Sequence, residues 1–505
     1  MEILIWIYVC VVAVVLQSFQ AQSQVTYASV PKSFTHDKVI VCYLTRWAAY
    51  REGDGKFDIF DTEPSLCTHL IYAFVGLDEN SNKIRSIDPW QDLEVNYGLG
   101  GLKHAVELKK KNPYMKVSVG IGGWNEGSIK YSNMVADPKR RKIFVTSVVN
   151  FLEVHKLDGL DIFWDCPTQR GGKPDDRKNL LLLVKELNEA FEPNRKLLTA
   201  TLRTGYMDSK MNDLYDLVQL NFYLDYMHIM AYDYHGAWEG FVGANAPLRG
   251  MDDNDILNIE YTVKYLLSFG ITTNKLVLGL PMFGRTFTFN TRVVNEVEFL
   301  KTPTTTTGFA GRFSKENGFI GYNEICLQLM NKTSEWEQFW HNQTVTPYLR
   351  DDTRFISYDN TRSFANKVKY VIDSGFGGVF VYSIATDDFR GSCDEEVDTY
   401  IDFIERFNKI ANVPILKTAL ENFNTYEIQT EYYSISNGKP RLKLPSPQFG
   451  NYPLLRTVNE AITLSLEEIK VNNEIERILD ERAKLVEKGS VPCFRTCNEI
   501  CFYGF

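Results

Sequence analysis

Short, almost uninterrupted apolar runs recur along the chain, at 38–44, 68–75, 115–121, 158–164, 196–202, 226–232, 275–281 and 378–384. Each is short for a helix and shows no in-out alternation, so each predicts a strand buried on both faces. Segments such as 139–155 and 177–192 lie between them and carry apolar residues at helical spacing. Strands alternating with helices predict a parallel sheet. Eight of them predict a (β/α)8 TIM barrel rather than an open doubly wound sheet, an α/β class either way.

The interval between the seventh and eighth runs is much wider than the others. Residues from about 286 to 355 hold a threonine run, several glycines and many aromatic residues. A structureless loop of that length is rare in a compact domain, so a small inserted subdomain is predicted. Beyond the last run the pattern changes. Residues 409–456, with Pro440, Pro445, Pro447 and Pro453, predict an extended linker, and 457–505 predict a helical, Cys-containing C-terminal extension. Its stretch 457–488 is rich in Glu, Lys, Ile and Leu, with apolar positions that only roughly follow helical spacing. The reading favours a helix docked on the barrel over a partner-binding coiled coil. Cys493, Cys497 and Cys501 close the chain. Three cysteines with no nearby histidine make a poor zinc site, so a disulfide with one odd thiol is expected, and no metal or cofactor.

The first residues change the compartment. Ile3 to Leu16 are uninterrupted apolar and are followed by Ala21 and Ser23 around Gln22. This predicts a secretory signal peptide over 1–23, too short to span a bilayer, although Glu2 replaces the usual basic residue. No later run is apolar enough to cross a membrane. An exported chain gives meaning to the nine cysteines, of which Cys10 falls in the signal. It also gives meaning to the N-glycosylation sequons at Asn331 and Asn342. A net charge of -9 and a pI near 5.5 argue against nucleic acid, which needs a clustered basic surface.

Candidate chemistry centres on Asp158-Gly159-Leu160-Asp161-Ile162-Phe163-Trp164-Asp165-Cys166-Pro167. Side chains alternate along a strand, so Asp161, Phe163 and Asp165 share one face. Two carboxyls inside a buried strand are costly unless paired or functional. The stretch resembles the fourth-strand signature D-G-x-D-x-D-x-E of the family-18 glycoside hydrolases, the chitinases and chitinase-like proteins. Asp158, Gly159 and Asp161 match. Phe163 stands where the family has its middle Asp, Asp165 where it has its catalytic Glu, and Cys166 where Tyr is usual.

The resemblance spans about 38–408 and implies a barrel carrying an α+β insertion that walls a sugar cleft. It implies disulfides Cys42–Cys67 and Cys326–Cys393, with Cys166 a buried free thiol. It also implies a groove for N-acetylglucosamine polymers lined by Trp47, Tyr72, Trp124, Met230, Tyr232, Asp233, Trp238, Arg285 and Tyr382. Flat rings cover the apolar faces of sugars while polar groups take the hydroxyls. In the family the equivalent of Tyr232 holds the acetamido carbonyl, and that of Asp233 contacts the same sugar. Tyr382 replaces a usual Trp and Phe283 a usual Tyr. Without the resemblance, the three Trp residues would read as packing residues and Tyr232 with Asp233 as a core pair.

The family's chemistry is substrate-assisted: the acetamido oxygen attacks the anomeric carbon, a Glu protonates the leaving oxygen and the middle Asp steadies the acetamido N–H. Phe163 can do none of that, a loss that costs on the order of a hundredfold. Asp165 is one methylene short, a retreat of roughly 1.5 Å, and a misplacement of about 1 Å can itself cost about a hundredfold. The leading reading is therefore a secreted chitinase-like protein that binds chitin or N-acetylglucosamine oligomers with little or no hydrolysis. The rivals are a slow chitinase using Asp165 as its acid, with Asp161 behind it, and a growth or immune factor that binds a protein through its C-terminal extension.

Overall fold

The structure is a computed structural model that describes residues 36–206, 209–293, 297–331, 335–393, 433–436, 439–442, 451–487, 494–495 and 501–502. The expected signal peptide, most of the expected linker, and Cys493 and Cys497 lie outside the described residues.

Among these residues, eight parallel strands close into a barrel, each within a few residues of its predicted run. They are β1 (Val39–Thr45), β2 (His69–Asp78), β4 (Lys116–Gly122), β5 (Gly159–Phe163), β6 (Leu197–Arg203), β7 (Tyr226–Met230), β8 (Leu276–Pro281) and β14 (Gly378–Tyr382). β1 pairs with both β2 and β14, which leaves no open edge. A short β3 (Lys83–Ser86) pairs antiparallel with the end of β2. The interior is packed by Val41, Tyr43, Ile71, Phe163, Tyr232, Val277 and Phe380, among others, so the barrel is a filled core and not a pore. The expected disulfides Cys42–Cys67 and Cys326–Cys393 are both present, and Cys166 is a buried free thiol.

The helices that follow the strands are α1 (Gly101–Glu107), α2 (Pro138–Val154), α3 (Asp176–Phe191), α4 (Leu217–Tyr223), α5 (Ile259–Ser268), α7 (Thr361–Asp373) and α8 (Pro453–Glu487). The last of these corrects the expected domain limits. The helix starts at Pro453, not 457, and its first turns are part of the barrel. Leu454, Leu455, Val458, Ala461 and Ile462 are buried, Asn459 Nδ2 donates to the Leu66 carbonyl, and Lys369 of α7 pairs with Glu468. Residues 453–468 thus supply the helix expected after the eighth strand, and the barrel does not finish near 408. Asp387 and Asp388 tie this helix to the strand end. The Asp387 carboxylate accepts from the Leu454 and Leu455 N–H groups, and the Asp388 carbonyl accepts from Tyr452 N. In the span read as linker, Tyr433–Ser436 and Lys439–Leu442 pair as a hairpin.

The predicted insertion is a five-stranded antiparallel sheet with one helix. It holds β9 (Phe283–Thr288), β10 (Phe319–Gly321), α6 (Tyr322–Met330), β11 (Glu337–His341), β12 (Thr346–Arg350) and β13 (Arg354–Ser357). It begins three residues before the expected boundary, because the chain leaves β8 and enters β9 after Met282 alone. Its core is Phe287, Phe299, Tyr348 and Phe355. Asn331 and Asn342 are both exposed on it.

Candidate functional site

Local backbone demands explain the Asp158-Gly159 start of β5. A Cβ on Gly159 would lie 2.3 Å from the Leu197 carbonyl oxygen, so only glycine lets β6 pass. The Asp158 carboxylate accepts from Lys109 Nζ and from Val117 N, which fixes the strand entry. At the other end, Gly122 has φ 112° and a Cβ there would meet the Phe163 carbonyl at 2.3 Å. Gly123 N donates to that same carbonyl, which brings the loop bearing Trp124 over the end of β5.

The strand ends and the insertion enclose a cleft of about 1860 Å³. Of the residues expected to form the site, it brings together Phe163, Asp165, Trp47, Trp124, Met230, Tyr232, Asp233, Trp238, Arg285 and Tyr382. Trp47, Trp124 and Trp238 keep 42–52% of their surface exposed, unusual for side chains of this size. The Arg285 guanidinium holds Asp233 Oδ1 through Nε at 2.8 Å and Nη2 at 2.7 Å, and lies over the Trp238 ring. The Tyr232 ring stacks against Tyr382 with centroids 6.1 Å apart. Its hydroxyl is buried and has no hydrogen-bond partner among the described residues. Burial, then coupling to the neighbouring Tyr382 phenol and the Asp233 charge, pushes that phenol well above its ordinary value, so it remains a donor.

Two expected site residues lie elsewhere. Tyr72 is buried between Ile71 and Ala73 of β2, which face the barrel interior, so alternation turns it outward. There its hydroxyl donates to Asp92 Oδ1 at 2.7 Å, and it does not line the cleft. Asp161 shares the interior face with Phe163, as predicted, but sits beneath it and is fully buried. Its oxygens accept from Thr199 Oγ1 at 2.7 Å, Tyr43 OH at 2.8 Å and Thr201 Oγ1 at 2.9 Å, with His228 Nδ1 at 3.1 Å. Burial opposes its charge, but His228 and the hydroxyls of Thr199 and Tyr43 outweigh that, and the carboxyl is held below its usual range. The Phe163 ring packs edge-on to Phe74 at 5.0 Å and Tyr43 at 6.2 Å. It separates this polar network from the cleft by hydrocarbon.

The residue that the sequence reading missed is Arg203. β5 and β6 run in parallel with Gly159 opposite Leu197 and Asp161 opposite Thr199. The same offset sets Arg203 beside Asp165. Its Nε lies 2.6 Å from Asp165 Oδ1 and its Nη2 3.0 Å from Oδ2, a two-pronged pair with the carboxylate almost wholly buried. Burial works against the guanidinium's charge, yet the adjacent carboxylate overcomes it and holds Arg203 above its ordinary value. Cys166 Sγ also donates to Oδ1 at 3.3 Å. Burial and then the Asp165 charge push this thiol far up, so it stays protonated. Both oxygens of Asp165 therefore accept hydrogen bonds from neighbouring side chains, which fix the carboxyl against β6. A long basic side chain closing the buried run at 196–202 was the available signal.

Comparison with known proteins gives the family of the fold. The family model described as glycosyl hydrolases family 18 matches residues 39–387. The chain is 42% identical over 444 residues to probable chitinase 2 of Drosophila melanogaster, covering 86% of this chain and 83% of that protein. Among solved structures, the Group IV chitinase of Ostrinia furnacalis matches with a TM-score of 0.69 and 33% identity, over 85% of this chain and 100% of that one. Human YKL-39, described as a pseudo-chitinase with retained chitooligosaccharide binding properties, matches with a TM-score of 0.64 and 26% identity, over 84% and 100% of the two chains.

Proposed function

The chain belongs to the family-18 glycosyl hydrolases, and we propose that it is an exported, glycosylated member that binds chitin or N-acetylglucosamine oligomers with little or no hydrolysis. The observation that carries this reading is the contrast within one cleft between intact sugar-holding groups and a disarmed proton donor. Three exposed tryptophans offer platforms for sugar faces, and the Tyr232 hydroxyl, without a hydrogen-bond partner among the described residues, supports a role as donor to an acetamido carbonyl. Against this, Asp165 is bound through both oxygens by Arg203, and Phe163 presents hydrocarbon where the substrate's acetamido N–H would need an acceptor.

General acid catalysis contributes about 10²–10⁴ in rate, and it requires a protonated group within reach of the leaving oxygen. Asp165 is one methylene short of the family's Glu, and Arg203 holds both of its oxygens, which disfavours that task. The stacking and hydrogen-bonding groups do not depend on that proton, so affinity survives the loss of turnover. A protein partner acting through residues 453–468 fits poorly, because those residues pack into the barrel.

The test is retention on chitin by the wild type beside Trp124→Ala and Trp238→Ala. Retention of the wild type, with each variant weakened by at least about 1 kcal/mol, supports binding. A wild type that passes through the column ends the lectin reading.

A further inference from the structure

Trp124 is gripped from outside the cleft as well as exposed within it. The Arg170 guanidinium lies over the indole with Cζ 3.5 Å from the ring centroid, and its Nη1 donates to the Trp124 carbonyl at 2.7 Å. Trp124 and Arg203 line the cleft and Arg170 does not, so Arg170 backs the ring on the side away from the ligand space. The Arg203 guanidinium approaches the same ring at 5.5 Å.

The loop that carries Arg170 is braced to hold it there. Gln169 N donates to the Cys166 carbonyl at 3.0 Å, and Gly172 N to that of Gln169 at 2.9 Å. Ser128 Oγ donates to the same Cys166 carbonyl at 3.1 Å and accepts from Trp164 Nε1 at 3.1 Å. Cys166 (φ 57°) and Arg170 (φ 53°) both take the left-handed conformation, uncommon for such side chains. Backbone of this kind persists only where the surroundings over-determine it, and it clusters at ligand-holding segments.

The charges around the ring do not balance. Asp165 is held by Arg203, Asp233 by Arg285, and Glu126 by Lys130 Nζ at 2.6 Å. Arg170 forms no ion pair among the described residues, and neither does Lys210, which is exposed and lines the cleft beyond Arg203. A π face attracts a cation without cancelling its charge, so this side of the cleft carries a positive field.

We infer that Arg170 is a specificity-determining residue, whose unpaired charge behind Trp124 makes the cleft accept neutral N-acetylated sugars and reject the deacetylated, cationic units of the same polymer. The assignment rests on the sugar-binding reading above. A sugar stacked on the cleft face of the indole sits about 4 Å in front of it. Its 2-amino group is then roughly 8 Å from the guanidinium, about one Debye length at physiological salt. Between two unit charges at that distance, an effective dielectric of about 20–80 gives a repulsion equivalent to roughly 3- to 30-fold in affinity. An acetamido group carries no charge and escapes it.

The experiment measures affinity for chitotetraose and for its fully deacetylated tetramer at about pH 5, where an amine is protonated, in the wild type, Arg170→Gln and Arg170→Lys. A thermal melt shows that each variant is folded, and the readout is the ratio of the two affinities. The expected preference for the acetylated tetramer falls at least about threefold in Arg170→Gln, holds within about twofold in Arg170→Lys, and shrinks in the wild type as salt is raised. If the deacetylated tetramer binds the wild type too weakly to measure, its binding must become measurable in Arg170→Gln. Binding that stays undetectable overturns the assignment and leaves the discrimination to Tyr232. An unchanged ratio overturns it too, including one in which both ligands weaken equally, because Arg170 would then only steady the ring. An equal fall in Arg170→Lys overturns it by showing that charge is not what counts. A wild type that binds neither tetramer removes the sugar-binding reading and this assignment with it, whereas wild-type tetraose binding with no preference removes this assignment alone.

Discussion

If the Arg203 pair holds the carboxyl at position 165 out of catalysis, exchanging Phe163→Asp and Asp165→Glu together will leave hydrolysis weak, although both signature residues are then back in place. The guanidinium Nε and Nη2 now lie 2.6 and 3.0 Å from the Asp165 oxygens, and a side chain one methylene longer stays within their reach. To donate a proton, a carboxyl must first carry one. A protonated carboxyl can accept from the guanidinium through a single oxygen, so one charge-assisted bond is lost. Such a bond contributes about 1.5–3 kcal/mol, which corresponds to a rate penalty of roughly 10- to 150-fold. Adding Arg203→Met, an unbranched apolar side chain that fills similar space, should recover that factor over the double variant. The assay is release of chromophore from a chitooligosaccharide, beside a thermal melt to show that each variant is folded. A double variant that already cleaves as fast as the triple refutes the proposed role of Arg203.

Further outcomes follow from the same geometry. Tyr232→Phe should weaken N-acetylglucosamine oligomers by about 0.5–1.5 kcal/mol, one hydrogen bond. Titration calorimetry reads that loss, and Tm should not fall because the hydroxyl has no hydrogen-bond partner among the described residues. Asp161→Ala should cost about 3–5 kcal/mol of stability by stripping a buried network of its charge, while denaturant melts and oligosaccharide titration show affinity unchanged. The Asp161 carboxyl is held below its unfolded value, so its stabilisation is present above about pH 3.9 and is lost as pH falls through the lower folded value. Asp161→Asn should therefore flatten the acid limb of a Tm-versus-pH curve. Asp387 runs the other way. Burial outweighs its three backbone N–H donors and raises it to about 7, so the native state loses stability as pH rises from about 4 toward 7, a slope that Asp387→Asn should abolish. Truncation after residue 450 should unfold the barrel by far-UV dichroism and proteolysis, whereas truncation after Lys470 should leave it folded, because the buried positions among the described side chains of α8 lie at 454–465.

The strands were legible because a barrel buries them on both faces, and few other folds produce eight apolar runs of seven or eight residues separated by amphipathic segments. Pairwise facts across strands were not. Tyr72 reads as a cleft residue until β2's alternation turns it toward Asp92. Asp161 reads as half of a catalytic pair until its hydroxyl partners from β1 and β6 place it under Phe163. Arg203 and Asp165 stand 38 positions apart, and only the register of β5 against β6 joins them. The eighth helix escaped notice for another reason. The chain separates β14 from Pro453 by some seventy residues, so an element that completes the barrel reads as an appendage. Its buried stripe of Leu454, Leu455, Val458 and Ile462 is present in the sequence, but its barrel partners, Leu66 and Lys369, are not visible there.

The central claim is tested most directly by titrating purified wild type with chitopentaose and analysing the same solution for shorter oligomers over a day. The account predicts saturable binding with the pentamer recovered intact. Release of dimer and trimer at the pace of the Ostrinia furnacalis Group IV chitinase run alongside would contradict it.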